Sequence, residues 1–81
     1  MKMNGIEVLW YEGEKKCERP QALVIGGKKL MIQKWFPVGV VRDFIGNERE
    51  VHKVILEDGS AFKIEYFRSQ DQCYVEKLKN W

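Results

Sequence analysis

Apolar and polar residues alternate along this chain at the period of strands, and the punctuation between them is that of turns. Ile6-Glu7-Val8-Leu9-Trp10-Tyr11 is rich in β-formers and ends at Gly13, which predicts a first strand. Glu14 to Glu18 reads as a charged loop. Pro20 then opens a second strand, Ala22 to Ile25, at a position where proline is tolerated because it precedes the ladder. Gly26-Gly27 is a two-residue hairpin signal, since a type I′ turn needs positive φ at both central positions. Such a loop pairs Leu23 with Leu30 and Gln21 with Ile32. Leu23, Ile25, Leu30 and Ile32 then share one face, with Lys29 and Gln33 on the other, so register and pattern agree. The third strand continues to Trp35-Phe36. Pro37 interrupts it, and Val38-Gly39-Val40-Val41 resumes it as a bent or bulged strand. Arg42 to Glu50 is the loosest stretch, with Gly46-Asn47 as a turn.

A second hairpin spans Val51 to Phe67 around Asp58-Gly59. A strict two-residue loop would place Lys53 opposite Ile64. A three-residue loop at Asp58-Gly59-Ser60 instead pairs Leu56 with Phe62 and Val54 with Ile64, and sets Lys53 across from Glu65, an opposite-charge pair worth roughly 0.2–1 kcal/mol. The odd-length loop is the expected one. Its inward face is Val54, Leu56, Phe62, Ile64 and Tyr66, with His52 at the margin opposite Tyr66. A last strand covers Cys73 to Leu78. No window of eleven or more residues repeats apolar positions at helical spacing. The fold class is therefore all-β: about six short antiparallel strands in a meander, closed into a small SH3-like barrel or curled into a strongly twisted sheet.

Length sets the scale. Eighty-one residues make one small β domain over 1–81, burying only about 60–65% of the surface the unfolded chain exposes. Hydrophobic residues at 44% and charged residues at 32% describe an ordered globular chain. No signal peptide is expected from Met1 to Glu7, which lack an apolar run and a small-residue cleavage site, and Lys28, Lys29 and Lys34 cut the longest apolar neighbourhoods, so no spanning helix is expected. Cys17 and Cys73 are far apart, and two thiols in a reducing compartment are the plain expectation; one bridge between them is the alternative. A soluble cytoplasmic protein is expected.

Ile6-Glu7-Val8, Glu18-Arg19-Pro20, Gly26 followed by Leu30 and Ile32, and Asp58-Gly59 with Phe62 and Ile64 recur in an order that is similar to a group of small uncharacterised bacterial β-domain proteins. The resemblance covers most of the chain. It implies the β fold and brings no activity. Modules related to that group occur beside DNA-repair polymerases, which raises a nucleic-acid reading slightly. Two departures stand out: the resemblance implies an aromatic near Cys73 and another near His52, so one end of the barrel should be repacked.

Catalytic chemistry finds little to work with. A general base needs an orienting partner and a nucleophile, and the lone His52 reads as a partly buried strand histidine. One His and two distant Cys do not make a tetrahedral metal site. Gly26-Gly27-Lys28-Lys29 leads into a strand, not the helix that a phosphate cradle requires. Glu57-Asp58 sits at a turn. No catalytic residue, metal, cofactor or small-molecule substrate is expected.

Charge distribution changes the picture more. The net charge is +2, yet Arg19 to Arg42 holds five basic and no acidic residues, against six basic and eight acidic afterwards. Lys28, Lys29, Lys34 and Arg42 beside an exposed Trp35 form the candidate binding patch, because basic groups interleaved with aromatics suit single-stranded nucleic acid. The competing reading is a solvated hairpin whose lysines protect a sheet edge. Aromatics are the second signal. Trp10-Tyr11, Trp35-Phe36 and Tyr66-Phe67 must each split across a strand's two faces, leaving outward members that a loop covers or a partner meets. The leading expectation is a non-enzymatic binding module for a protein partner or for self-association. Weak nucleic-acid binding through residues 19–42 is the alternative, and no membrane role is expected.

Overall fold

A computed structural model describes residues 6–11, 13 and 19–79. Six strands follow one another as β1 (Ile6–Tyr11), β2 (Arg19–Ile25), β3 (Lys28–Arg42), β4 (Glu48–Leu56), β5 (Ala61–Phe67) and β6 (Gln72–Leu78). Each pairs antiparallel with the next, giving the sheet order β1-β2-β3-β4-β5-β6. The expected meander is present, as a curled half-barrel with β1 and β6 as its edges. No helix among the described residues is long and apolar enough to cross a membrane.

Alternation builds the core. Leu23, Leu30, Val54, Leu56, Phe62, Ile64, Tyr66, Cys73 and Val75 are buried on one face, with Ile6, Val8, Trp10, Ile25, Ile32 and Trp35 packed against them. Cys17 lies outside the described residues, and Cys73 is buried beside Tyr66.

The first hairpin forms as its glycines require. Gly26 and Gly27 have φ of 56° and 83°, and Leu23 pairs with Leu30, although the ladder ends at Ala22–Met31 before reaching Gln21. A Cβ on Gly27 would meet nothing within 4 Å, so only backbone strain opposes a side chain there. Gly27→Val is expected to cost more than about 1 kcal/mol, lowering the melting temperature by at least ~4 °C. A thermal scan matching the wild type would remove the strain from this turn.

The second hairpin keeps the expected parity but not the expected register. Its loop is Glu57-Asp58-Gly59: Leu56 N–H donates to the Ser60 carbonyl at 2.9 Å, Val54 pairs with Phe62, and His52 pairs with Ile64, not Tyr66. Gly59, at φ 89°, must stand third in such a loop, where the chain turns left-handed. The Asp58 carboxylate also accepts from the Ser60 hydroxyl at 2.6 Å and the Ser60 N–H at 3.0 Å, which draws Ser60 into the closing pair. Those two bonds, the hydroxyl's first, hold the Asp58 carboxyl below its ordinary value. A slip by two residues preserves the faces, so the inward set is as expected. The charge pairs are not. Lys53 faces Lys63, while Lys63 reaches Glu76 at 3.3 Å and Arg49 reaches Glu65 at 2.6 Å.

β3 is one strand of 15 residues, continuous through Pro37. It carries two bulges against β4, skipping Gln33 and Val38, and Gly39 at the second has φ 136°. Each bulge exchanges the strand's two faces and increases its bend. Leu30 and Ile32 point inward before the first; after it Trp35 does, opposite Val54, while Pro37 pairs with His52 and stays exposed. A matching bulge at Gln21 in β2 places Pro20 opposite Trp10. β4 begins at Glu48, so Glu48 to Glu50 belongs to a strand and not to the loose stretch expected there.

Candidate functional site

Three aromatic pairs split as strand geometry demands. Trp10, Trp35 and Tyr66 turn inward; Tyr11 and Phe36 are exposed; and Phe67 packs edge-on against Tyr74. The inward members converge on His52. Its ring lies 5.7 Å from Trp10 and 6.1 Å from Trp35 between centroids, and Trp10 is 5.1 Å from Tyr66. At 5% exposure His52 is a core residue and not a marginal one. The Trp35 indole N–H donates to its Nδ1 at 3.0 Å, which fixes the neutral ring with its proton on Nε2. Polar groups rim the cluster: Glu50 accepts from Arg68 at 2.8 Å and stands 3.7 Å from His52 Nε2, and the Tyr66 hydroxyl donates to Asp71 at 2.9 Å. This aromatic–imidazole cluster closes one end of the half-barrel.

Beyond it the sheet narrows to an arm. The β4–β5 ladder stops at Glu50–Tyr66, but β3 and β4 continue through Val40–Glu50, Val41–Arg49 and Arg42–Glu48 to a turn at Asp43 to Asn47. The Asp43 carboxylate accepts from the backbone N–H of Ile45 at 3.1 Å and of Asn47 at 3.0 Å, and Gly46 N–H donates to the Asp43 carbonyl at 3.1 Å. Backbone groups are thus satisfied by Asp43, and the turn buries neither of its two large side chains. Phe44 is fully exposed and Ile45 is 71% exposed. Val38, Val40 and Val41 continue the exposed apolar surface down β3.

The residues singled out by charge are dispersed along this same strand. Lys28 and Lys29 start β3 at the Gly26-Gly27 turn, Lys34 is exposed beyond the first bulge, and Arg42 is at the far end in an ion pair with Glu48. Trp35 is half-buried with its N–H committed to His52, and Arg19 lies over the Tyr11 ring at 4.7 Å. A groove of about 340 Å³ opens where β2 and β3 part, lined by Pro20, Gln21, Ile32, Gln33 and Trp35 among others. A second of similar size runs under the arm along Trp35, Pro37, Val40, Glu50 and His52. No group of three or more His, Cys, Asp or Glu capable of holding a metal ion occurs among the described residues.

Sequence reasoning missed Phe44 and Ile45. The signal was present: two large apolar residues between Asp43 and Gly46-Asn47 sit in a turn, where no strand face exists to bury them. The molecule at this point is defined as a small all-β half-barrel with an aromatic end and a projecting apolar arm. Comparison with protein-family models, with curated proteins and with solved structures gives no match.

Proposed function

We propose that this protein is a non-enzymatic binding module that engages a protein partner through the β3–β4 arm. The observation that carries the reading is the fully exposed Phe44 beside Ile45 on a turn that folds without them. Folding gains nothing from apolar residues so placed, and contiguous exposed apolar surface on a small chain marks an interaction site. Aromatic anchors of this kind dominate the energetics of protein interfaces. Charge supports a protein over a nucleic acid. Arg42, Arg49 and Arg68 are each paired with a glutamate of the same chain, and Lys28 and Lys29 are at the opposite end of β3. The His52 cluster supports a structural role, since its Nδ1 is already engaged by Trp35.

Phe44→Asp tests the reading. Its stability should stay within about 0.5 kcal/mol of the wild type, as for a surface change away from any packed feature. Immobilised wild-type protein should retain a partner from its native cell at least about tenfold better than the variant, the loss expected for an anchor worth over 1.4 kcal/mol. Equal retention would sink the arm as the binding surface.

A further inference from the structure

We propose that the arm's partner is a second copy of this chain, joined β3 edge to β3 edge about a two-fold axis at Val40. This rests on the reading of the arm as the binding surface, and adds to it what binds there.

β3 is flanked unequally. β4 accompanies it from Ile32 to Arg42, but β2 pairs with it only from Lys28 to Met31. Among the described residues no strand pairs with the β2 side of β3 beyond Met31. On the arm's other flank Arg68 and Ser69 face Gly46, Asn47 and Glu48 across a groove of about 380 Å³. A row of backbone groups with no described strand beside it, bordered by Val38, Val40 and Val41, is the element that adds a strand from another chain.

Two copies suit each other electrically. The Arg42–Glu48, Arg49–Glu65 and Arg68–Glu50 pairs cancel within one chain, so apart from Asp43, whose carboxylate accepts from the turn's own N–H groups, apposed arms set no unpaired charge against like charge. A strongly charged partner would find no counter-charge there. The area is also of the right order. Phe44 presents its whole ring, about 150–250 Å². With Ile45 and the three valines it supplies on the order of half of the ~800 Å² per partner that a standard interface buries, close to the apolar share of such interfaces.

Antiparallel pairing of one strand with its own copy is two-fold by construction. Centred on Val40, it sets Val40 against the partner's Val40 and Val38 against the partner's Arg42. Pro37, lacking an N–H, and the bulge at Val38 end the ladder before Phe36, which closes a dimer and prevents a growing fibre.

Sedimentation equilibrium is expected to give a dimer with a dissociation constant on the order of micromolar, fitting an interface of modest area. Val40→Lys places two ammonium groups across the axis, and should give a monomer with an unchanged far-ultraviolet spectrum. Val40→Cys, in a Cys17→Ser background, should oxidise to a disulfide-linked dimer, since facing Cα atoms in an antiparallel pair are about 4.5–5.5 Å apart. A wild type that stays monomeric at ~100 µM, two decades above that constant, overturns the proposal. So does a dimer that survives Val40→Lys, or a Val40→Cys protein that does not cross-link. If the wild type is monomeric yet retains another protein in a Phe44-dependent way, the binding module stands and only its partner changes; without that retention, both readings fall.

Discussion

Leu56→Ala is expected to lower the unfolding free energy by about 2–5 kcal/mol, because the cavity left by a fully buried leucine adds to the lost transfer energy. Leu56 is the last inward residue of β4, opposite Ile32 and one rung from the Glu57–Asp58–Gly59 loop. It is held on both sides: Leu56 N–H donates to the Ser60 carbonyl at 2.9 Å, and the adjacent Glu57 is tied to β3, its N–H donating to the Met31 carbonyl at 2.9 Å and its carboxylate accepting from Met31 N–H at 2.7 Å. The site therefore has little freedom to collapse around a missing side chain. Urea denaturation checks it, with Phe44→Ala as the exposed comparison. A loss below about 1 kcal/mol would mean that β4 does not carry its inner face into the core.

Trp35→Phe is the second large effect, at about 1–3 kcal/mol, and its cause is polar. The variant keeps a ring beside His52 but withdraws the N–H that His52 Nδ1 accepts, and a buried acceptor stripped of its donor bears its desolvation cost. Combining it with His52→Leu isolates the pair. The double variant should lose less than the sum of the single ones, by a coupling of about 0.5–3 kcal/mol for groups in direct contact. Strict additivity in denaturant would show that the two rings pack without sharing a proton.

The candidate site was legible only in part. Splitting the aromatic pairs across strand faces follows from strand geometry alone, and each pair divides that way. Which member goes inward depends on parity carried from Leu30 and Ile32, and unbroken alternation sends Trp35 outward with Lys29 and Gln33. The bulge at Gln33 reverses this and turns Trp35 toward His52, leaving Phe36 exposed. Similarly, the basic residues cluster in sequence because they share one strand, but a 15-residue strand sets its ends far apart, at about 3.3 Å per residue. Nearness along an extended chain is not nearness in space.

Local chemistry by itself determined the strands, the Gly26-Gly27 turn, the odd-length second loop and the inward face of that hairpin. Each depends on residues close in sequence: a period of two, or a backbone conformation that glycine alone adopts cheaply. The register of the second hairpin needed one further local fact, that Gly59 takes the loop's left-handed position. Tertiary structure decided the rest. The bulges at Gln21 and Gln33 lie across the gap where β2 and β3 part, so that β3 leaves one neighbour and follows another. Whether a strand absorbs an extra residue depends on what both of its faces must bury, and that is settled by strands far away in the chain. Among the described residues the same competition leaves the end of β3 with β4 alone, and so makes an arm out of Val40 to Ile45, residues whose own sequence marks only a strand end and a turn.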